Sequence, residues 1–213
     1  TPLPKTYAVN EWSKALHPNV IPAEIIATKE VGRNCKVITL KSTSENGRFP
    51  YFRAGQFITL SAKVGESFVT RPYSISSSPY QAMEGILEVT VQKAGLFSTY
   101  LLEEAKVGDK VVVGEPTGDF YYDDLRDCNT IVAIAGGSGI TPFISMIKSI
   151  VEGSDDFNLI VFYGVRTRSD LLIDLDSVKH DKVKVIPVLS HEEAEGYEHG
   201  FITKELKGYH LFC

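Results

Sequence analysis

Two short groups of residues in this chain have side chains and glycines of the types that can bind nucleotide phosphates. The first group is the run Arg71, Pro72, Tyr73 and Ser74. Arginine offers a phosphate a fixed fork of N–H donors, tyrosine offers a flat ring with a hydroxyl, and serine offers a small hydroxyl. These are the groups that a flavin nucleotide requires. The run also fits a strand with an arginine on its solvent face, so both interpretations stay open on these four residues alone.

The second group is a glycine-rich run that consists of Gly136, Gly137, Ser138, Gly139, Ile140, Thr141 and Pro142. It follows a continuous apolar stretch, and apolar residues at helical spacing come after it. Thr141 and Pro142 are therefore predicted to be the N-cap and first-turn residues of a helix, whose free N–H groups and dipole would attract phosphate. A strand-to-helix turn needs glycine in any case, so the run alone does not distinguish a phosphate site from an ordinary turn. Its spacing departs from G-x-G-x-x-G, so an ordinary Rossmann dehydrogenase is not indicated.

Short strands precede the glycine-rich run. Leu87, Val89 and Val91 alternate with polar residues, which predicts a strand with one buried face. Similar patterns lie at residues 23–27, 36–40, 56–62 and 110–113, with glycines between them, and residues 98–105 have the pattern of a helix. Several short strands without long helices favour an antiparallel barrel or sandwich.

The pattern changes after Asp127. Apolar runs at 130–135, 158–163 and 183–189 alternate with helical patterns, one from Phe143 to Gly153 and another at 171–178. Such alternation predicts a parallel sheet covered by helices. The sequence therefore predicts a two-domain α+β protein, with an N-terminal arm at 1–19, a β domain at 20–120 and an α/β domain at 121–213.

Composition narrows the classes of function. The net charge is −5 and the charges are mixed along the chain, so we expect no nucleic-acid partner. No apolar run approaches the roughly 18–20 residues of a membrane helix and no signal segment opens the chain, so we expect a cytoplasmic protein without membrane insertion. Cys35, Cys128 and Cys213 are far apart, so we expect neither a metal site nor a disulfide framework.

Six stretches of the chain occur in the same order as the matching motifs of the ferredoxin–NADP reductase superfamily. The chain resembles this superfamily over roughly residues 20–213, and particularly its oxygenase-reductase and cytochrome b5 reductase-like branches. The six are residues 52–57 (Phe-Arg-Ala-Gly-Gln-Phe), 71–74, 95–98 (Gly-Leu-Phe-Ser), 106–111 (Lys-Val-Gly-Asp-Lys-Val), 115–120 (Glu-Pro-Thr-Gly-Asp-Phe) and 136–142. The resemblance implies a Greek-key β-barrel that binds FAD, followed by an α/β domain that binds NADH or, as a second possibility, NADPH.

The resemblance also implies residue roles. Arg71 would bind the flavin phosphate, Tyr73 would pack against the flavin, and Ser74 would hydrogen-bond near its N5 atom. Thr141 would lie between the flavin and the nicotinamide. Ser74 and Cys213 are the two candidates nearest the chemistry, and the remaining expected cofactor-binding residues are Pro72, Val91, Gly95, Leu96, Phe97, Ser98, Gly136, Gly137, Gly139, Pro142 and Ser190.

The chain departs from the family pattern at two places. Ala54 stands where proline is usual, which should matter little. Residues 209–212 resemble the strand that leads into the family's Cys-Gly-Pro motif and Cys213 resembles its cysteine, so we expect a nucleotide domain truncated at its C-terminus.

The predicted activity is hydride transfer from a nicotinamide to FAD, followed by single-electron transfer to a redox protein or to a fused iron–sulfur domain. The alternatives are a non-catalytic FAD-binding electron-transfer subunit that a partner reduces, and a regulatory dinucleotide-binding domain without flavin. We expect NADH rather than NADPH, because His191 follows Ser190 where NADP-using relatives have arginine, and glutamates come next. These glutamates could also face solvent, and Arg166 or Arg168 could then supply positive charge.

Overall fold

The computed structural model of the chain describes residues 20–202. The predicted N-terminal arm at 1–19, the predicted strand at 209–212 and Cys213 lie outside the described residues. Between residues 20 and 202 no helix is long and apolar enough to cross a membrane.

Six antiparallel strands form the first sheet. They are β1 (Val20–Glu30), β2 (Cys35–Ser42), β3 (Phe57–Val64), β4 (Ser67–Ser74), β5 (Ile86–Gln92) and β6 (Lys110–Gly114), in the order β4-β3-β6-β1-β2-β5. The sheet curls, so that its two outer strands approach each other at an isolated bridge between Ile75 and Val89. The predicted antiparallel barrel is confirmed. Its core consists of inward-facing apolar side chains such as Ile38, Leu60 and Leu87.

Two short helices belong to this sheet. Helix α1 (Pro79–Met83) was not predicted, although Ser78 and Gln81 form a capping box around Pro79 that signals a helix start. Helix α2 (Leu96–Glu103) begins two residues before the predicted range of 98–105. The earlier start follows from Ser98, whose hydroxyl accepts hydrogen bonds from the N–H groups of Ala94 and Gly95 at 2.9 Å each.

The second sheet is parallel, as predicted. Its strands are β7 (Thr130–Gly136), β8 (Asn158–Val165), β9 (Val183–Leu189) and β10 (Glu198–His199), in the order β10-β9-β8-β7. Helix α3 (Thr141–Val151) connects β7 to β8. The carboxyl ends of the strands therefore lie together at one edge of this sheet.

The predicted helix at 171–178 is wrong. Only a 3₁₀ turn forms nearby, at Arg168–Asp170. The hydroxyl of Tyr163 accepts a hydrogen bond from the N–H of Leu172 at 3.3 Å, and Asp174 accepts hydrogen bonds from the N–H of Asp176 at 3.0 Å and the hydroxyl of Ser177 at 2.7 Å. These contacts use groups that a helix would need, and they hold the segment in turns.

The prediction that Thr141 is an N-cap is also wrong. The glycines form a 3₁₀ turn, Gly137–Ile140, and α3 continues directly from it, so Ile140 occupies the cap position. The buried Thr141 hydroxyl instead donates to the carbonyl oxygen of Ser138 at 3.0 Å. Thr141 therefore holds the turn from within the helix.

Candidate functional site

The fold brings the two groups expected at the flavin together. Residues 71–74 end strand β4 and residues 95–98 begin helix α2. The rings of Tyr73 and Phe97 lie 6.3 Å apart between centroids, and Tyr100 continues the cluster at 6.2 Å from Phe97. Stretches more than twenty residues apart in sequence thus form one surface.

Arg71 is exposed beside this cluster. Its Nη1 donates to the carbonyl oxygen of Thr70 at 2.7 Å, and the strand pairing sets Arg71 opposite Leu60. Burial raises the pKa of the Tyr73 hydroxyl, while the positive charge of Arg71 acts in the opposite direction, so the two groups are electrostatic neighbours. Pro72 is exposed and Ser74 is half-buried. A guanidinium, a ring and a hydroxyl are therefore available on one strand end, as a flavin phosphate and ring system require.

The start of α2 suits a phosphate group. A Cβ added to Gly95 would have no heavy atom within 4 Å, and Leu96 is exposed. The Ser98 hydroxyl also donates to the carbonyl oxygen of Gly95 at 3.0 Å, so this side chain is fully engaged in shaping the turn. A cofactor phosphate would therefore be bound by the backbone N–H groups of the first helical turn, which have no partner within the helix, rather than by the Ser98 hydroxyl.

Val91 contributes from beneath this surface. Its side chain is fully buried in the core of the first domain. The expected contact of Val91 with a flavin is therefore restricted to its backbone.

A cleft of about 850 Å³ opens at the carboxyl ends of the parallel strands. The second domain contributes Gly137, Ser138, Val165 and Ser190 to its lining. A Cβ added at Gly136, Gly137 or Gly139 would have no heavy atom within 4 Å, so a ligand could approach the backbone closely there. Such a crevice at strand ends is where open α/β sheets bind nucleotides.

Helix α3 fixes the glycine-rich turn against the first domain. The Ser145 hydroxyl donates to the carbonyl oxygen of Ser77 at 2.7 Å in a buried position, and the rings of Phe143 and Phe120 meet edge to face at 5.5 Å. Pro142, in the first turn of α3, is partly buried. The glycine-rich turn is thereby held in a defined position relative to the first domain.

The end of β9 carries an unpredicted ion pair. The carboxylate of Glu192 accepts hydrogen bonds from the backbone N–H of Arg168 at 2.8 Å and from its Nε at 2.6 Å. These bonds lower the pKa of Glu192. Ser190 donates its N–H to the carbonyl oxygen of Val165 at 3.0 Å, and its hydroxyl lies 2.7 Å from Nδ1 of His191. The glutamate nearest the strand end is therefore not a free anion.

The cleft also has a wall that the sequence did not predict. Its first-domain lining consists of Arg33 and Asn34 of the β1–β2 turn, Cys35 at the start of β2 and Gln92 at the end of β5. Burial raises the pKa of the Cys35 thiol, with a smaller contribution from Asp170. Gly32-Arg33-Asn34 is recognisable in the sequence as a turn between strands, but nothing in its composition indicates which domain the turn touches.

Comparison with known proteins agrees with this arrangement. The family description "Oxidoreductase FAD-binding domain" matches residues 22–122, and "Oxidoreductase NAD-binding domain" matches residues 133–212. NADH-cytochrome b5 reductase 1 of Dictyostelium discoideum is 35% identical over 160 residues, which are 71% of this chain and 54% of that protein. The toluate 1,2-dioxygenase electron transfer component of Pseudomonas putida is 31% identical over 159 residues, which are 74% of this chain and 44% of that protein.

Among solved structures, a ferredoxin NADP+ reductase from Neisseria gonorrhoeae with bound FAD and NADP superposes with a TM-score of 0.72 at 22% identity, covering 88% of this chain and 75% of that one. This likeness shows the fold. The chain spans about half the length of the two curated relatives described here. Since the two family descriptions follow one another over the antiparallel and the parallel sheet, the chain belongs to the ferredoxin–NADP reductase superfamily and carries its FAD-binding and NAD-binding oxidoreductase domains in that order.

Proposed function

We propose that this chain is an FAD-dependent NAD(P)H oxidoreductase module that passes electrons to a redox protein. The observation that carries the proposal is the convergence of residues 71–74 and 95–98 on one surface, with the glycine-rich turn held against the same domain by α3. When bound, the nicotinamide supplies a hydride that the flavin accepts and releases as single electrons. The protein has to bind the two groups, orient them and bring their rings together.

Each residue group has one task in this proposal. Arg71 neutralises the flavin phosphate, Tyr73 packs against the flavin, and the first turn of α2 offers N–H groups to the pyrophosphate. The open glycine backbone at 136–139 receives the nicotinamide nucleotide. We place the flavin domain at 20–120 and the nucleotide domain at 121–213, where Cys213 remains the candidate that corresponds to the family cysteine.

The electron acceptor that we propose is a redox protein, by analogy with the matched relatives. The matched relatives include an electron transfer component of a dioxygenase, which supports a redox protein as the partner. A fused iron–sulfur domain is the second form that such an acceptor could take. The cytoplasmic setting expected from the sequence stays a prediction.

Anaerobic mixing with NADH or NADPH tests the proposed activity. The chain is purified, saturated with FAD and mixed with each nucleotide while flavin absorbance is followed. Bleaching of the flavin is the expected result. A flavin that stays oxidised with both nucleotides but is reduced by dithionite would favour the non-catalytic electron-transfer subunit, and a protein that refuses added FAD would exclude both.

Ser74→Ala is expected to slow flavin reduction while most of the flavin stays bound. Ser74 lies half-buried at the end of β4, opposite Phe57, and its removal costs one hydrogen bond near the reacting ring. We expect a roughly two- to tenfold lower reduction rate in stopped-flow absorbance, from about 0.5–1.5 kcal/mol. Ser67→Ala at the opposite, exposed end of the same strand is the matched control and should react at the wild-type rate. Equal rates in the two variants would remove Ser74 from the site.

We expect the protein to prefer NADH to NADPH in kcat/KM. A 2′-phosphate at the end of β9 would meet His191 without a fixed positive charge, and Arg168 is already paired with Glu192. His191→Arg should shift the ratio of kcat/KM values towards NADPH by roughly tenfold, since it adds one charge-assisted contact. Glu195→Gln, an exposed change on the same loop, is the control for a general charge effect. A clear preference of the wild type for NADPH would overturn this prediction.

A further inference from the structure

The turn between β1 and β2 contacts the second domain closely. Gly32 and Asn34 both have a φ of +56°, and the N–H of Val31 closes the turn on the carbonyl oxygen of Cys35 at 3.0 Å. A Cβ added to Gly32 would lie 2.6 Å from Cδ2 of Leu172 and 3.2 Å from the carbonyl oxygen of Asp170. Only glycine allows both this backbone conformation and this approach. Arg33 is therefore held at the boundary between the two domains.

The guanidinium of Arg33 is oriented by Asp170 and still has N–H donors that can bind another group. Its Nε lies 3.4 Å from Oδ1 of Asp170, and its side chain is 66% exposed. Asp170 is itself fixed, because its Oδ2 accepts hydrogen bonds from the N–H of Thr167 at 3.0 Å and from its hydroxyl at 2.8 Å. A guanidinium carries five N–H donors in a rigid fork, so one contact through Nε leaves capacity for a second acceptor.

The position of Arg33 links two cavities. It lines the main cleft together with Gly137 and Ser138 of the glycine-rich turn. It also lines a neighbouring cavity of about 590 Å³ that contains Arg168 and Glu192. The carboxylates that line the two cavities, Asp170 and Glu192, each have an arginine partner. An anionic ligand in the cleft would thus meet guanidinium groups rather than free carboxylates.

We propose that Arg33, a residue of the flavin domain, binds the pyrophosphate of the nicotinamide nucleotide held by the other domain. This inference rests on the proposed function. In the cleft the glycine-rich turn offers N–H groups to the pyrophosphate from the second domain, and Arg33 lines the same cleft from the first domain. An arginine fork matches two phosphate oxygens, which a flexible ammonium does not. The nucleotide then bridges both domains before any electron moves.

Arg33→Ala tests the assignment in the FAD-loaded protein. We expect the Kd of both NAD+ and NADP+, measured by isothermal titration calorimetry, to rise by roughly tenfold from the loss of one charge-assisted contact. The flavin content and the rate of reduction by dithionite should stay at the wild-type level. Arg33→Lys, which keeps the charge but not the fork, should fall between the two proteins. Arg48→Ala, which removes an exposed arginine from the loop after β2, is the control and should bind as the wild type does.

Two further ligands separate a phosphate contact from a collapse of the cleft. ADP-ribose carries the pyrophosphate and adenosine carries no phosphate, so Arg33→Ala should weaken only the former. Unchanged Kd values, equal losses for adenosine and ADP-ribose, or a loss confined to NADP+ would each overturn the assignment. If the wild-type protein binds NAD+ but NADH does not reduce its flavin, the proposed activity is refuted. The Kd values of the variants would still decide the role of Arg33 in that case.

Discussion

Arg71→Ala is expected to weaken FAD binding by roughly ten- to hundredfold, corresponding to about 1.5–3 kcal/mol for a lost charge-assisted phosphate contact. The guanidinium of Arg71 is exposed and donates a hydrogen bond to the carbonyl oxygen of its neighbour Thr70, so its removal leaves the barrel core intact. The effect should therefore appear in cofactor affinity and not in the stability of the apoprotein. Titration of apoprotein with FAD, followed by the quenching of flavin fluorescence, measures it.

Arg48→Ala again serves as the matched control, because it removes an exposed arginine from the same domain away from β4 and α2. Arg71→Lys should bind FAD with intermediate affinity, since an ammonium supplies the charge without the planar fork. Equal FAD affinity in Arg71→Ala and the wild type would contradict the placement of the flavin phosphate on β4.

Gly55→Ala is expected to destabilise the protein by roughly 2–6 kcal/mol. Gly55 has a φ of +106°, and an added Cβ would overlap the carbonyl oxygen of Phe120 and lie 2.6 Å from Cε of Met146. Strained backbone and overpacking each cost about 1–3 kcal/mol. Since Met146 belongs to α3 while Gly55 and Phe120 lie in the flavin domain, the damage falls both within that domain and on its contact with α3.

Gly65→Ala separates the two causes of that loss. Gly65 has a φ of +59° but no heavy atom within 4 Å of an added Cβ, so it carries only the backbone term, about 1–2 kcal/mol. Urea unfolding of both variants, monitored by circular dichroism with FAD in excess, gives the difference. If Gly55→Ala were as stable as Gly65→Ala, the packing of α3 against the residue 55 loop would not be as tight as described.

Local patterns in the sequence predict most of the fold. The strand at Val183–Leu189 has the predicted bounds, and the alternation of Leu87, Val89 and Val91 corresponds to β5. The failed helix at 171–178 shows where such patterns stop being informative. Its apolar spacing is helical, but the hydroxyl of Tyr163, in the preceding strand β8, accepts a hydrogen bond from the N–H of Leu172. A hydrogen bond between a segment and the strand before it cannot be inferred from the apolar period of the segment itself.

The candidate site likewise contains residues that the sequence indicates and residues that it does not. Residues 71–74, 95–98 and 136–142 stand out because their chemistry is concentrated in short runs. Arg33 does not, since a single arginine in a turn has no distinctive neighbours and acquires its position only from the contact of Gly32 with Leu172. Glu192, one of the glutamates that follow His191, would repel a 2′-phosphate according to the sequence alone, whereas the structure pairs it with Arg168.

Helix α3 has a consequence for any attempt to exchange domains between relatives. The residues of α3 are buried on nearly all sides, because one face covers the parallel sheet and the other packs on the flavin domain through Ser145 and Phe143. In addition, Lys148 of this helix pairs with Glu88 of β5 at 2.6 Å. If two relatives are recombined in the connection after β6, α3 comes from one parent and the flavin-domain surface that it contacts comes from the other. A working chimera would need the side chains of Glu88 and Phe120 to be exchanged together with α3, whereas the carbonyl oxygen at position 77 is supplied by any residue type. The segment to exchange in such experiments is therefore the helix together with the flavin-domain residues that contact it, and not the sequence-defined domain alone.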